Sequence, residues 1–192
     1  MKHGKIIIFS GPSRAGKDAV LSQLSEKARH LFTKVVTCTT RPRRPSEQDG
    51  VDYHFLSKRE FQRMIKSGEL LEWATFSAHC YGTPKAAVLS ALRKGKNVLL
   101  KIEVEGGVQV KHQYPKKTVS IFLEPGNLDD LKRRWKQGHF SAAQQRLRLA
   151  RAQEELRHKE HYDHSIKNVE GALDATVSAM EKLLRQILTQ SR

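Results

Sequence analysis

Eight residues near the N-terminus restrict what this chain can fold into more than any others. Gly11-Pro12-Ser13-Arg14-Ala15-Gly16-Lys17-Asp18 matches G-x-x-x-x-G-K, and it lies between the apolar run Lys5 to Phe9 and a stretch that spaces Val20, Leu21, Leu24, Ala28 and Leu31 along one helical face. A buried strand, a tight glycine-bearing loop and a helix are therefore expected in succession. Glycines at both ends allow the backbone to wrap so that its N–H groups point inward at phosphate oxygens, and the N-terminal end of the helix adds partial positive charge. Lys17 is then placed to reach the outer phosphates of a triphosphate. A strand-to-helix turn that merely contains Gly and Lys would need this flanking pattern by coincidence. Two positions depart from the usual loop. Asp18 stands where a Ser or Thr hydroxyl ordinarily binds Mg²⁺; its carboxylate is a hard oxygen donor, so Asp18 is the candidate Mg²⁺ ligand, with a helix cap as the alternative role. Arg14 stands where many such loops carry another glycine, and either adds a phosphate contact or points to solvent.

The rest of the chain continues the alternation of strand and helix. Asn97 to Ile102 and Thr118 to Leu123 are short apolar runs followed by helical spacing, which argues for an α/β chain with a parallel sheet and crossover helices. Leu173, Val177, Met180, Leu184 and Ile187 mark a long amphipathic helix at the end. From about Thr37 to Thr83 the pattern changes to short, polar, strand-rich pieces with one helical stretch near Phe61 to Ile65, as an insertion into an α/β core would. With 192 residues, no internal repeat and no Pro- or Gly-rich linker, one domain with insertions is expected.

Ile6 to Phe9 is too short for a signal-peptide core or a membrane span, so a cytoplasmic chain is expected. Cys38 and Cys80 are too few for a disulfide framework and lack zinc-type spacing, and both read as reduced thiols. The 35 Lys and Arg against 20 Asp and Glu leave a net charge of +15, which favours anionic ligands without choosing among nucleotides, nucleic acid and acidic membranes. His158, His161 and His164 read as polar surface groups rather than metal ligands, and Trp73, Phe55 and Phe61 as core packing.

A second set of motifs narrows the reading. Thr39-Thr40-Arg41-Pro42-Arg43-Arg44-Pro45-Ser46-Glu47-Gln48-Asp49-Gly50-Val51-Asp52-Tyr53-His54-Phe55, continued by Leu71-Glu72-Trp73-Ala74 and Tyr81-Gly82-Thr83, closely resembles the guanylate kinase family. The resemblance runs over essentially the whole chain. The T-T-R-x-P-R pattern is present with Arg41 and Arg44 in register, and G-x-D-Y-x-F is complete from Gly50 to Phe55. It implies a P-loop NTPase-type parallel sheet flanked by helices, with core segments 1–36, 84–133 and 149–192, an inserted GMP-binding subdomain 37–83 and a lid 134–148. The implied activity is transfer of the ATP γ-phosphate to GMP or dGMP, with Mg²⁺ accompanying ATP.

The same resemblance assigns residues. Gly11, Pro12, Ser13, Arg14, Ala15, Gly16, Lys17 and Asp18 would hold the ATP phosphates, and Asn168 would lie near the adenine. Arg41 and Arg44 would clamp the GMP phosphate through charge-assisted bonds, with Thr37 and the hydroxyls of Tyr53 and Tyr81 completing the cradle. Glu72 would accept from the N1–H and 2-amino group of guanine, and Thr83 would donate to O6. Adenine lacks the 2-amino group and would leave Glu72 buried and unpaired. Glu103 keeps the carboxylate that in the family faces the acceptor nucleotide and metal region. Lys17, Arg41, Arg134 and Arg148 are the implied catalytic cations.

Departures gather in the lid. The family's R-L-x-x-R-G run reads Arg134-Trp135-Lys136-Gln137-Gly138, one residue shorter, so one lid arginine is missing and Lys136 is the partial substitute. Glu105 replaces a usual Gln. Two rivals remain at this stage. One is an inactive guanylate-kinase-like module that binds phosphorylated partners through Arg41, Arg44 and Tyr53; such relatives lose the phosphate loop, which is intact here. The other is a ribose 1,5-bisphosphate phosphokinase-like enzyme, suggested by the Gly-Lys-Asp ending and opposed by Glu72 and Thr83. The expected partners are the small molecules ATP and GMP, with no membrane; nucleic acid is the weaker reading of the charge, and a homodimer is left open.

Overall fold

In the computed structural model, which describes residues 4–76, 78–137 and 140–189, β1 (Ile6–Ser10) is buried along its whole length. An unbroken apolar run suits a strand covered on both faces. The chain turns through the phosphate-loop sequence into α1 (Lys17–Gln23). The single helix expected to carry Val20 to Leu31 is instead two. Leu24, with ψ 137°, leaves the helical region, and α2 (Glu26–Arg29) starts afresh behind Ser25, whose Oγ accepts from the Ala28 N–H at 3.3 Å. A serine hydroxyl satisfies a helix-start donor better than it serves a helix interior, so the local bond wins over continuation. The apolar face survives the break, because Val20, Leu21, Leu24 and Ala28 all stay buried.

One sheet has five strands in the order β2 (Thr33–Lys34), β7 (Val98–Lys101), β1, β8 (Thr118–Pro125), β9 (His164–Asn168). The pairs β2–β7 and β8–β9 are parallel. Parallel neighbours need long crossovers, and these carry α5 (Val104–Gln113) before β8 and α6 (Leu128–Gln137) with α7 (Ala142–Arg157) before β9. The expected α/β class, a parallel sheet flanked by helices, is what the chain forms. A second sheet has the order β4 (Tyr53–Phe55), β3 (Thr37–Thr39), β6 (His79–Pro84), β5 (Leu70–Phe76), with β3–β6 and β5–β6 antiparallel. Between β4 and β5, α3 (Lys58–Lys66) starts on a capping box of Ser57 and Glu60 and buries Phe61, and β6 leads into α4 (Lys85–Arg93).

Contacts divide the chain into two compact units, one of Met1–Ile6, Phe32–Leu100 and Glu105–Thr118, the other of Ile7–Leu31, Lys101–Val104 and Val119–Arg192. In the first, Cys38, Phe61 and Leu70 are packed with Leu56, Met64, Ile65 and Cys80. In the second, Leu131, Trp135 and Ala152 are packed with Leu128, Phe140 and Leu149, and α8 (Leu173–Thr189) buries Val177, Met180, Leu184 and Ile187. Cys38 and Cys80 are free thiols. Among the described residues, no helix is long and apolar enough to cross a membrane.

Two aromatic residues differ from expectation. Trp73 is 40% exposed rather than core. Strand alternation turns Glu72 and Ala74 inward and leaves Trp73 outward, where its backbone N–H and C=O are bonded by the Gln109 amide. Phe55 is only half-buried and lies 5.8 Å from the Arg41 guanidinium.

Candidate active site

In the second unit the turn after β1 is shaped around two demands. Gly16 caps α1 at φ 107°, and a Cβ there would come within 2.3 Å of the Asn168 amide. That buried amide donates to the Ala15 carbonyl at 2.7 Å and accepts at Oδ1 from Thr176 Oγ1 at 3.1 Å. Asn168 as found thus holds the loop's shape. Lys17 donates to the carbonyls of Gly11 and, at 3.1 Å, Pro12. Burial lowers the proton affinity of its ammonium below the ordinary lysine value, against the pull of the Glu103 and Glu155 carboxylates. Asp18 does not cap α1; its exposed carboxylate pairs with Lys101 Nζ.

Arg134 and Arg148, the two arginines expected in a lid, both reach the loop. Arg134 Nη1 donates to the Arg14 carbonyl at 2.9 Å, and Arg148 Nη1 to Ser13 Oγ at 3.4 Å. Gly138, in the shortened run, lies outside the described residues; Lys136 is exposed on α6. Three further groups join this cluster that sequence reasoning did not single out. Arg151 Nε donates to Glu155 Oε1 at 3.0 Å, and the Arg151 guanidinium lies 3.9 Å from Glu103 Oε2. That oxygen is buried with no hydrogen-bond donor among the described residues. Burial, opposed by the bond from Arg151 and helped by the Glu103 charge, raises the Glu155 carboxyl to about 7. The only sequence signal for Glu155 is its place three residues after Ala152 on the buried face of α7. Lys101, the partner of Asp18, carried no signal of its own.

In the first unit, β5 and β6 pair with Glu72 opposite Thr83. Both are buried, and Thr83 Oγ1 donates to Glu72 Oε1. A Cβ on Gly106 would come within 2.2 Å of Glu72 Oε2, so only glycine leaves room for the carboxylate in this pose. A buried carboxylate persists when donors reach it, and Thr83 supplies one. The Thr83 proton is directed at Glu72, so donation to a base oxygen would require that bond to break.

The Arg41 backbone N–H donates to Thr39 Oγ1 at 3.1 Å, and its guanidinium to the Pro42 carbonyl at 2.6 Å and to Glu47 Oε1 at 2.7 Å. The guanidinium stands 5.7 Å from the Tyr53 ring, and Tyr53 meets Tyr81 edge to face with centroids 6.2 Å apart. Thr37 lies opposite Tyr53 in the β3–β4 register. Arg44 is exposed and tied in through its backbone N–H, which donates to Glu47 Oε2 at 2.9 Å. Glu47, which sequence reasoning quoted without a role, thus organises both arginines. Its hydrogen bond raises the proton affinity of Arg41 and lowers its own.

The family model described as guanylate kinase matches residues 3–187. A guanylate kinase of Gloeobacter violaceus is 41% identical over 181 residues, covering 94% of this chain and 86% of its own length. One from Streptococcus pyogenes is 41% identical over 191 residues, covering 98% and 87%. The crystal structure of guanylate kinase from Anaplasma phagocytophilum superposes with a TM-score of 0.79 at 28% identity, covering 100% of this chain and 89% of that one. With sequence and fold agreeing over nearly the full length, this chain belongs to the guanylate kinase family.

Proposed function

We propose that this chain transfers the γ-phosphoryl group of ATP to GMP or dGMP, releasing ADP, in the cytoplasm. The observation that carries the reading is the buried pair of Glu72 and Thr83 against Gly106. A fixed carboxylate is complementary to the adjacent N1–H and 2-amino donors of guanine, and adenine offers neither in that place. Arg41, Arg44, Tyr53, Tyr81 and Thr37 would hold the acceptor phosphate, with Glu47 fixing the pose of Arg41. The loop Gly11 to Asp18 would hold the ATP phosphates, with Asn168 keeping its shape and Glu103 nearby on the Lys17 side. The segments 37–83 and 134–148 are proposed as acceptor subdomain and lid, and 1–36, 84–133 and 149–192 as core.

The attacking phosphate oxygen is already ionised at neutral pH, so the protein need supply no general base. Its task is positioning and neutralisation of charge. Lys17 exchanges its bonds to the Gly11 and Pro12 carbonyls for phosphate oxygens, and Arg134 and Arg148 close over the loop. Two oxygens suit Mg²⁺ by their chemistry: the exposed Asp18 carboxylate, which would have to exchange its Lys101 partner for the cation, and Glu103 Oε2, buried with no hydrogen-bond donor among the described residues. Held with ATP by either, Mg²⁺ would neutralise part of the triphosphate charge. Neither rival reading finds support, since the phosphate loop and Glu72 are both intact.

The test is an ADP-release assay over GMP, dGMP, AMP and ribose 1,5-bisphosphate. GMP and dGMP should turn over, with AMP slower by about a hundredfold or more; comparable rates with AMP would overturn the guanine reading. In the same assay Asp18→Asn should raise the Mg²⁺ concentration for half-maximal rate, because a neutral amide oxygen is a weaker ligand for a hard cation.

A further inference from the structure

Phe140 joins two arginines at the phosphate loop. The Arg148 guanidinium lies 3.9 Å from the centre of its ring, and that of Arg14 lies 5.7 Å from it. The ring is anchored from below: Phe140 is half-buried and packs against Leu131, Trp135 and Ala152. Its backbone is anchored as well. The Phe140 carbonyl accepts from Gln145 Nε2 at 2.8 Å, and the next residue, Ser141, starts α7 on a capping box with Gln144. The ring is therefore a fixed surface and the two arginines are the adjustable parts.

Arg14 is held from the other side. Its φ of 66° is in the left-handed region, unusual for a residue with a side chain, and its carbonyl accepts from Arg134 Nη1 at 2.9 Å. Arg148 is tied to the loop through Ser13 Oγ. Two guanidinium groups gathered at one ring repel each other, and burial together with Arg14 and Arg151 lowers the proton affinity of Arg148. Attraction to the ring face offsets part of that repulsion, and an anion with several charges would remove the rest. The exposed Arg14 side chain is thereby brought beside Arg148 at the ring.

We propose that Phe140 is a positioning residue, an aromatic bracket that sets Arg14 and Arg148 toward the donor phosphates, and that Arg14 is a further phosphate-binding cation in a chain whose lid lacks one arginine. The proposal rests on the reading of Arg148 as a donor-side residue. Phe140→Leu keeps an apolar group against the cluster of Leu131, Trp135 and Ala152 and removes the π face; Phe140→Tyr keeps both.

The experiment measures KM for ATP and for GMP, kcat, ATP affinity by calorimetry and melting temperature in the full chain carrying Phe140→Leu, Phe140→Tyr, Arg14→Ala, Arg148→Ala and the double change Phe140→Leu with Arg14→Ala. Phe140→Leu should weaken ATP binding about tenfold while KM for GMP and the melting temperature hold, and Phe140→Tyr should stay within about twofold of the wild type. Arg14→Ala should weaken ATP binding alone and add little once Phe140→Leu is present. Equal effects of Leu and Tyr, or losses from Phe140→Leu and Arg14→Ala that multiply, would overturn the bracket. If Arg148→Ala costs nothing, the donor-side reading falls and the bracket with it; if it costs activity while Phe140→Leu and Arg14→Ala do not, only the bracket falls.

Discussion

In the unit that carries Glu72 and Arg41, the groups proposed to take the acceptor nucleotide already have hydrogen-bond partners: Arg41 bonds Glu47, and Glu72 accepts from the Thr83 hydroxyl. In the unit that carries Lys17, cations crowd together, with Arg14 and Arg148 sharing one ring and Lys17 held by the carbonyls of its own loop. On the proposed assignment the contrast follows from what each would recognise. Telling guanine from adenine depends on hydrogen-bond direction, which needs a fixed, buried carboxylate on paired strands. Holding a triphosphate depends on accumulated positive charge, which a loop backbone and long side chains supply. Arg41 and Glu72 therefore have their bonds already made, while at the phosphate loop Arg14 and Arg148 stand together at one ring.

Three substitutions test that contrast. The largest effect belongs to Lys17→Met, expected to lower kcat about a thousandfold while GMP affinity measured by calorimetry stays within about twofold, since a buried charge on the transferring phosphate acts mainly in the transition state. Equal loss of GMP affinity would break the separation. Next, Glu72→Gln should lower kcat/KM for GMP about a hundredfold, through a wrongly placed amide N–H against guanine donors, and leave ATP affinity unchanged. A parallel loss of ATP affinity would mean that Glu72 serves the fold rather than the base.

The smallest effect is a pH dependence of stability at Glu155. Folded, this carboxyl keeps its proton up to about pH 7; unfolded, it loses it near the ordinary 4.5. The folded chain thus binds more protons between those values, so the contribution of Glu155 is full below the lower one and is lost as pH rises through the upper. Glu155→Gln removes this dependence, and its melting temperature should decline less than that of the wild type from about pH 5 to about pH 7.5. Identical pH profiles would show that Arg151 keeps Glu155 ionised throughout.

The phosphate loop, β1, the parallel class and the long last helix were legible because each depends on residues close in the chain, where spacing alone states which face is buried. Arg41, Tyr53 and Glu72 were legible only as linked motifs, since an arginine or a glutamate in isolation says nothing of its neighbours. Other features needed the fold. Ser25 interrupts a helix that apolar spacing alone would continue, and Trp73 faces outward because its neighbour Glu72 must face in. Glu47 gains its role from a turn that brings it back to Arg41, Glu155 from burial beside Arg151, and Phe140 from the approach of Arg14 and Arg148. Which chemistry the chain carries is written in its motifs, because these encode local backbone geometry and side-chain type. Which charges are paired, buried or crowded is settled by the fold, because those energies depend on distances between residues as far apart in the chain as Arg14 and Arg134, which no local pattern specifies.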